Sequence, residues 1–288
     1  MINMNGIIVK GIGGFYYVKS ADGNIYECKA RGVFRKEHIT PTIGDRVEIE
    51  VKNSKGSIIK IEERKSRMTR PSVANIDTLV IVAAAASPEP NLFLLDKMLI
   101  NAHINGIEPI ICINKSDITK REDIKEIYSK AGYTVIETSA ADNIGTDELK
   151  RILKGKITAF AGLSGVGKSS ILSLITDSEL ETGSVSEKIQ RGRHTTRHVE
   201  LFDMGDDTYV LDTPGFGSLE IERIKADELW EYFPEMRKAH GQCRFRGCSH
   251  INEPDCAIKE LLQSGELSAE RYESYKQIHE QLKMLKDW

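Results

Sequence analysis

The sequence predicts an α/β nucleotide-binding domain of the phosphate-loop class, preceded by a small β-barrel and followed by a helical, metal-binding segment. Three observations predict it. A complete G-x-x-x-x-G-K-S run occupies positions 162–169, short alternating apolar segments fill the first part of the chain, and three cysteines with a histidine cluster between 243 and 256.

The run Gly162-Leu163-Ser164-Gly165-Val166-Gly167-Lys168-Ser169 carries the most information. The apolar segment before it reads as a buried strand, and Ser170-Ile171-Leu172-Ser173-Leu174-Ile175 after it has the spacing of a helix opening. Strand, glycine loop and helix form the context that gives the motif its meaning. Glycines let backbone N–H groups turn inward around phosphate oxygens, and the helix N-terminus adds partial positive charge. Lys168 is expected to reach the β- and γ-phosphates, and the Ser169 hydroxyl to ligate Mg²⁺.

The loop alone does not name a base. Asn114-Lys115-Ser116-Asp117 does, because N-K-x-D reads guanine: the Asp117 carboxylate can accept from both N1–H and the exocyclic amino group. Adenine offers no such pair and would leave the acid desolvated, at a cost of about 1–3 kcal/mol or more. Asn114 should tie this segment to the phosphate loop, and the Lys115 stem should cover one face of the base. Ser139-Ala140 resembles the S-A turn whose backbone amide meets guanine O6.

Asp212-Thr213-Pro214-Gly215 supplies a D-x-x-G element, with Asp212 set to hold Mg²⁺ through water and the Gly215 amide to sense the γ-phosphate. Between loop and D-x-x-G lies a basic, non-periodic run, Arg191 to His198. The switch threonine is expected there, Thr196 before its neighbour Thr195, as a second protein ligand of Mg²⁺. Many GTPases place Gln after D-x-x-G to orient water. Here that position is Phe216, which leaves His194 as the candidate; Arg193 or Arg197 could offset transition-state charge.

The order of these motifs is rotated: the guanine elements at 114 and 139 precede the phosphate loop at 162 and the D-x-x-G at 212. A circular permutation produces this order. It is tolerable because ligand loops in open α/β folds gather at the carboxyl ends of the strands, whatever their sequence order.

Cys243, Cys248, His250 and Cys256 form C-x₄-C-x-H-x₅-C, a Cys₃His set of the closed, structural zinc type. His240 is a rival fourth ligand. Disulfides are disfavoured by the odd count and by the reducing cytosol where GTP-dependent proteins work. Cys28 and Cys112 stand alone in strand-like runs and read as small core residues.

At 288 residues the chain exceeds a usual single core, so the expected division is a barrel over 1–68, a permuted GTPase domain over 69–222 and a zinc-binding helical domain over 223–288. Residues 1–70 carry 14 Lys and Arg against 8 Asp and Glu, a bias that suggests nucleic acid. Five strand candidates, near 7–9, 15–18, 24–28, 45–50 and 56–59, are punctuated by glycine turns and suit an OB-type barrel. Arg31, Arg35, Lys36 and Lys65 could meet phosphates; at least one of Phe15, Tyr16 and Tyr17 must face inward. Residues 62–67 read as a charged linker, and 257–266 and 269–285 as helices. No apolar run approaches the roughly 20 residues of a membrane span, and the N-terminus lacks a secretory core, so cytoplasmic residence is expected.

With barrel, permuted motifs and cysteine pattern in this order, the chain resembles the RsgA family over essentially its whole length. The motif order, the Gly192-Arg193-His194-Thr195-Thr196 run and the zinc pattern carry the resemblance. It implies a bacterial assembly factor that binds the maturing small (30S) ribosomal subunit and hydrolyses GTP to GDP and phosphate faster on it. It also implies that barrel and zinc domain touch 16S rRNA and that His194 acts on the attacking water; a monomer is expected. An RNA-binding switch with incidental turnover and a factor acting on mature ribosomes are the competing expectations.

Overall fold

The computed structural model describes residues 2–68, 72–176, 199–212, 221 and 224–285. The chain forms two compact units, Met1–Leu79 with Leu149–Ala161 and Lys168–Pro214, and Val80–Glu148 with Gly162–Gly167 and Gly215–Trp288.

In the first unit, β1 (Ile2–Ile12), β2 (Phe15–Ser20), β3 (Ile25–Ala30), β4 (Arg46–Lys52) and β5 (Lys55–Ile61) close a barrel in the order β1-β2-β3-β5-β4. β1 closes it by pairing with β4 over residues 2–7 and with β2 over 6–12, and a bulge between Ile8 and Lys10 supplies the bend. The β3–β5 pair is parallel and the others antiparallel, which is OB topology. Ile8, Val18, Cys28, Val47, Ile49 and Ile58 fill the interior. Position 56 must be glycine, since a Cβ there would stand 2.2 Å from the Cys28 sulfur. Burial pushes the Cys28 thiol up to about 11, which suits a core residue. Tyr16 packs against this core, while Lys29 sits 4.8 Å from the centroid of the Phe15 ring.

Two features differ from the sequence reading. A short helix, α1 (Gly32–Lys36), follows β3 and buries Phe34; five residues are too few to show a helical period. Residues 62–67 are not a free linker. Arg64 forks onto buried Asp45 at 2.6 and 2.8 Å, Ser66 donates to the Ile76 carbonyl, and β6 (Arg67–Met68) pairs with β7 (Val73–Ala74). Arg31, a phosphate candidate, is paired with Glu50 at 2.7 Å.

A six-stranded sheet has the order β10-β9-β8-β11-β13-β12, built from β8 (Thr78–Ala84), β9 (Glu108–Asn114), β10 (Thr134–Glu137), β11 (Ile157–Ala161), β12 (Phe202–Asp203) and β13 (Tyr209–Asp212). β9 and β10 are parallel, as are β11 and β13; β12 is antiparallel to β13. The apolar runs that predicted strands are buried throughout β8, β9 and β11, save single positions. α2 (Leu92–Ile104), capped by Asn91, follows β8; α3 (Glu122–Lys130), α4 (Thr146–Leu153) and α5 (Lys168–Thr176) follow β9, β10 and β11.

In the second unit, a 3₁₀ turn (Ala226–Tyr232), α6 (Pro234–Arg237), α7 (Ala257–Ser264) and α8 (Ala269–Met284) share a core with α2, through Ile100, Leu229, Phe233, Met236, Ile258 and Tyr275. α7 stops at Gly265, φ 76°, and α8 starts at Ser268, whose hydroxyl accepts from the Arg271 amide. Within this core Arg271 meets Asp96 of α2 at 2.5 Å and Glu235 of α6 at 2.6 Å, all three nearly solvent-free. Among the described residues no helix is long and apolar enough to cross a membrane.

Candidate nucleotide site and metal centre

The predicted nucleotide-binding segments each follow the carboxyl end of a strand: Asn114 ends β9, Ser139 follows β10, Gly162 follows β11, and Asp212 ends β13. Their local conformation is dictated by close approach. Gly162, at φ 144°, leaves no room for a side chain, because a Cβ would lie 2.2 Å from the Val82 carbonyl oxygen. Gly167, at φ 94°, would meet the Asn114 amide nitrogen at the same distance. Gly165 is required by its φ of 79° alone; its nearest neighbour, Pro88, is 3.9 Å away. The loop is thus a chain of bare backbone, the form that cradles phosphates.

Asn114, 1 % exposed, is the hub. Its Nδ2 donates to the Val166 carbonyl at 2.9 Å, and its Oδ1 accepts from the Ala140 amide at 3.1 Å and the Thr138 hydroxyl at 3.2 Å. Asp117 accepts from the Ser139 hydroxyl at 2.6 Å, and that hydroxyl accepts from the Asp142 amide at 3.1 Å. Lys115 adopts φ 65° and donates its ammonium to the Ser87 carbonyl. N-K-S-D and S-A therefore form one hydrogen-bonded assembly with the start of the phosphate loop.

Lys168 and Ser169 open α5, with Ser170 in its first turn. Burial pushes the Lys168 ammonium below its ordinary value, and the Asp212 carboxylate opposes that shift. A group desolvated in this way gains most from a strongly anionic ligand. His194, Thr195, Thr196, Gly215 and Phe216 lie outside the described residues.

Cys243, Cys248, His250 and Cys256 bring their ligand atoms within 4.8 Å of one another. Cys243 Sγ and Cys256 Sγ are each 3.5 Å from His250 Nδ1 and 3.9 Å apart. Tetrahedral zinc with ordinary bond lengths requires S···S near about 3.8 Å and S···N near about 3.6 Å. The fit is close. Burial and the neighbouring sulfurs push the Cys248 thiol up to about 12, and a central cation is what would reverse that. His240 is not in the cluster; its ring stacks on Trp230.

Sequence reasoning missed what holds this centre. Glu253 accepts from the Ser249 amide and hydroxyl at 2.9 and 2.8 Å and from the Ile251 and Asn252 amides at 3.2 Å. Burial opposes ionisation, but these donors hold its carboxyl down to about 2. Tyr272 and Tyr275 donate to the carbonyls of His250 and Ser249. Glu253 thus fixes the turn that carries two ligands, including His250 at φ 64°. Only the nearness of an acid to the cysteine run hinted at it.

A glycine loop, N-K-S-D and S-A at strand ends, with the guanine segments first in the chain, define a circularly permuted P-loop GTPase carrying an OB barrel and a Cys₃His helical domain. Residues 61–222 match the RsgA GTPase family and residues 5–59 the RsgA N-terminal domain. The chain belongs to the RsgA family of GTP hydrolases. A small ribosomal subunit biogenesis GTPase RsgA of Caldanaerobacter subterraneus subsp. tengcongensis is 50% identical over 96% of this chain and 94% of that protein. The protein of the same name from Agathobacter rectalis is 45% identical, over 97% and 98%. The crystal structure of YjeQ from Thermotoga maritima superposes with a TM-score of 0.81 at 35% identity, covering 98% of this chain and 99% of that one. YloQ, described as a circularly permuted GTPase, superposes at 0.82 with 37% identity, over 98% and 96%.

Proposed function

We propose that this protein hydrolyses GTP to GDP and phosphate during late maturation of the small (30S) ribosomal subunit, bound to its 16S rRNA and stimulated by it. The observation that carries the reading is the Asn114 hub, which joins guanine-reading and phosphate-cradling segments in one assembly. The relatives, which are small ribosomal subunit biogenesis GTPases, supply the ribosomal context.

In this reading Asp117 and the Ala140 amide select guanine, with Lys115 beside the base. Residues 162–167 cradle the phosphates, Lys168 neutralises their charge, and Ser170 supports the loop at the start of α5. Ser169 and Thr196 would hold Mg²⁺, with Asp212 through water, and the Gly215 amide would meet the γ-phosphate; the ion would supply neutralisation of the phosphate charge. His194 orients the attacking water. Cys243, Cys248, His250 and Cys256 hold one structural zinc. The barrel spans 1–68, the GTPase domain 69–222 and the zinc domain 223–288, and the protein acts as a cytoplasmic monomer.

The test is GTP turnover with and without purified small subunits. Strong stimulation is expected, reduced to near the basal rate in His194→Ala. Equal turnover in the presence and absence of subunits would refute the assignment.

A further inference from the structure

The Cys₃His cluster opens into a groove of about 790 Å³: Cys243, Cys248 and His250 line one part of it, and Trp230, His240, Phe245, Arg246, Lys283 and Asp227 stand in its other walls. The Trp230 and His240 rings are stacked, 3.4 Å between centroids with planes 5° apart. His240 is exposed, so this two-ring stack ends in solvent. Phe245 is 43% exposed, with the Arg244 guanidinium 5.5 Å from its centroid. Among the described residues, neither Arg246 nor Lys283 is engaged in an ion pair, whereas Arg244 is paired with Asp255. Trp230 is partly buried and packs against the core that Leu229, Phe233, Met236 and Tyr275 form, which anchors the inner ring of the stack, whereas Phe245 lies outside that core.

We propose that this groove binds an unpaired nucleotide of single-stranded RNA, the base extending the Trp230–His240 stack and Arg246 and Lys283 facing its phosphates. The proposal rests on the rRNA reading above and narrows it to unpaired RNA at one surface. Every base has a π-face, so a stacking platform flanked by cations holds single strands with little sequence preference. Paired bases are already covered on both faces, and a duplex offers only its backbone and shallow groove. The volume suits one nucleotide. An acidic peptide could satisfy the cations but would leave the stack unused.

The chain has two tryptophans, so in a Trp288→Phe background Trp230 is the only indole emitter. The full-length, zinc-loaded protein is titrated with an oligoadenylate of about eight nucleotides, a length within single-strand site sizes. Saturable quenching of Trp230 is expected, with none from a blunt RNA duplex of similar length. His240→Ala, with zinc content verified, should weaken the binding read at Trp230 by roughly tenfold. The pair Arg246→Glu and Lys283→Glu should weaken it and lower the salt slope by roughly two. Silent Trp230 fluorescence, equal quenching by duplex, or equal quenching by an oligoglutamate would overturn the proposal. RNA binding seen by anisotropy while Trp230 stays silent would overturn this groove alone and leave the rRNA reading standing.

Discussion

Asn114 donates its side-chain amide to the carbonyl of Val166, 2.9 Å away, while its oxygen accepts from Ala140. One buried side chain therefore joins three segments that the rotated chain order scatters. The permutation preserves the site because strand ends, not chain order, bring these groups together. Asn114→Asp would set a carboxylate oxygen against the Val166 carbonyl in a buried position. Guanine-nucleotide affinity should fall about 100-fold or more, with Asn114→Ala milder at about tenfold, the low end of the cost of a lost buried hydrogen-bond partner. Titration with a fluorescent GDP analogue checks this; wild-type affinity in the Asp variant would show that the hub does not govern binding.

Asp117→Asn should shift preference from GTP toward xanthosine triphosphate, whose O2 accepts from the new amide. The Ser139 hydroxyl, 2.6 Å away, can still hydrogen-bond an asparagine, so the turn should keep its shape. Competition between the two nucleotides reads the switch directly. Full retention of GTP preference would mean that N-K-S-D does not read the base.

What the sequence made legible was local. The strands of the sheet announce themselves as apolar runs, and glycine turns separate the barrel strands. The phosphate-loop glycines are legible because no other residue allows contacts such as that of Gly162 with Val82. Long-range polar partners were not. Arg271 finds Glu235 36 residues away and Asp96 175 residues away, and no periodicity encodes either pairing. Arg64 reads as part of a solvated charge run, yet only its placement beside buried Asp45 makes it structural.

For the metal centre, one zinc per chain is expected by elemental analysis. Cys248→Ser should lower it and loosen the C-terminal helices, since ligand binding and folding are linked in such sites. Full occupancy in a triple Cys243, Cys248 and Cys256 serine variant would refute the ligand set.

His103 predicts a pH dependence. Burial, and then the charges of Arg237 and Arg271, push its imidazole down to about 4. The unfolded chain takes this proton near pH 6.5, whereas the folded chain refuses it until about pH 4. Its contribution to stability is thus complete above about 6.5 and falls as the pH drops toward 4. Allowing for its partial exposure, the loss is about 1–2 kcal/mol. Urea unfolding at pH 7 and pH 5 should show a smaller drop for His103→Gln than for wild type. Identical drops would remove His103 as a source.

The buried triad makes the most severe prediction. Arg271→Met would leave Asp96 and Glu235 without their cation in a site with almost no solvent, a loss of about 3–5 kcal/mol at neutral pH. Burial already raises the Asp96 carboxyl, and Arg271 opposes that rise. Without the arginine the folded-state value must climb further. The deficit of the variant should therefore shrink on acidification, as the carboxyl takes up a proton and no longer needs a partner. Adding Asp96→Leu and Glu235→Met should recover much of the loss, because packed apolar residues replace buried ion pairs at little cost. Chemical denaturation of the single and triple variants at two pH values separates these effects. A single variant as stable as wild type, or a deficit that grows in acid, would show that the triad does not hold α2 to α8.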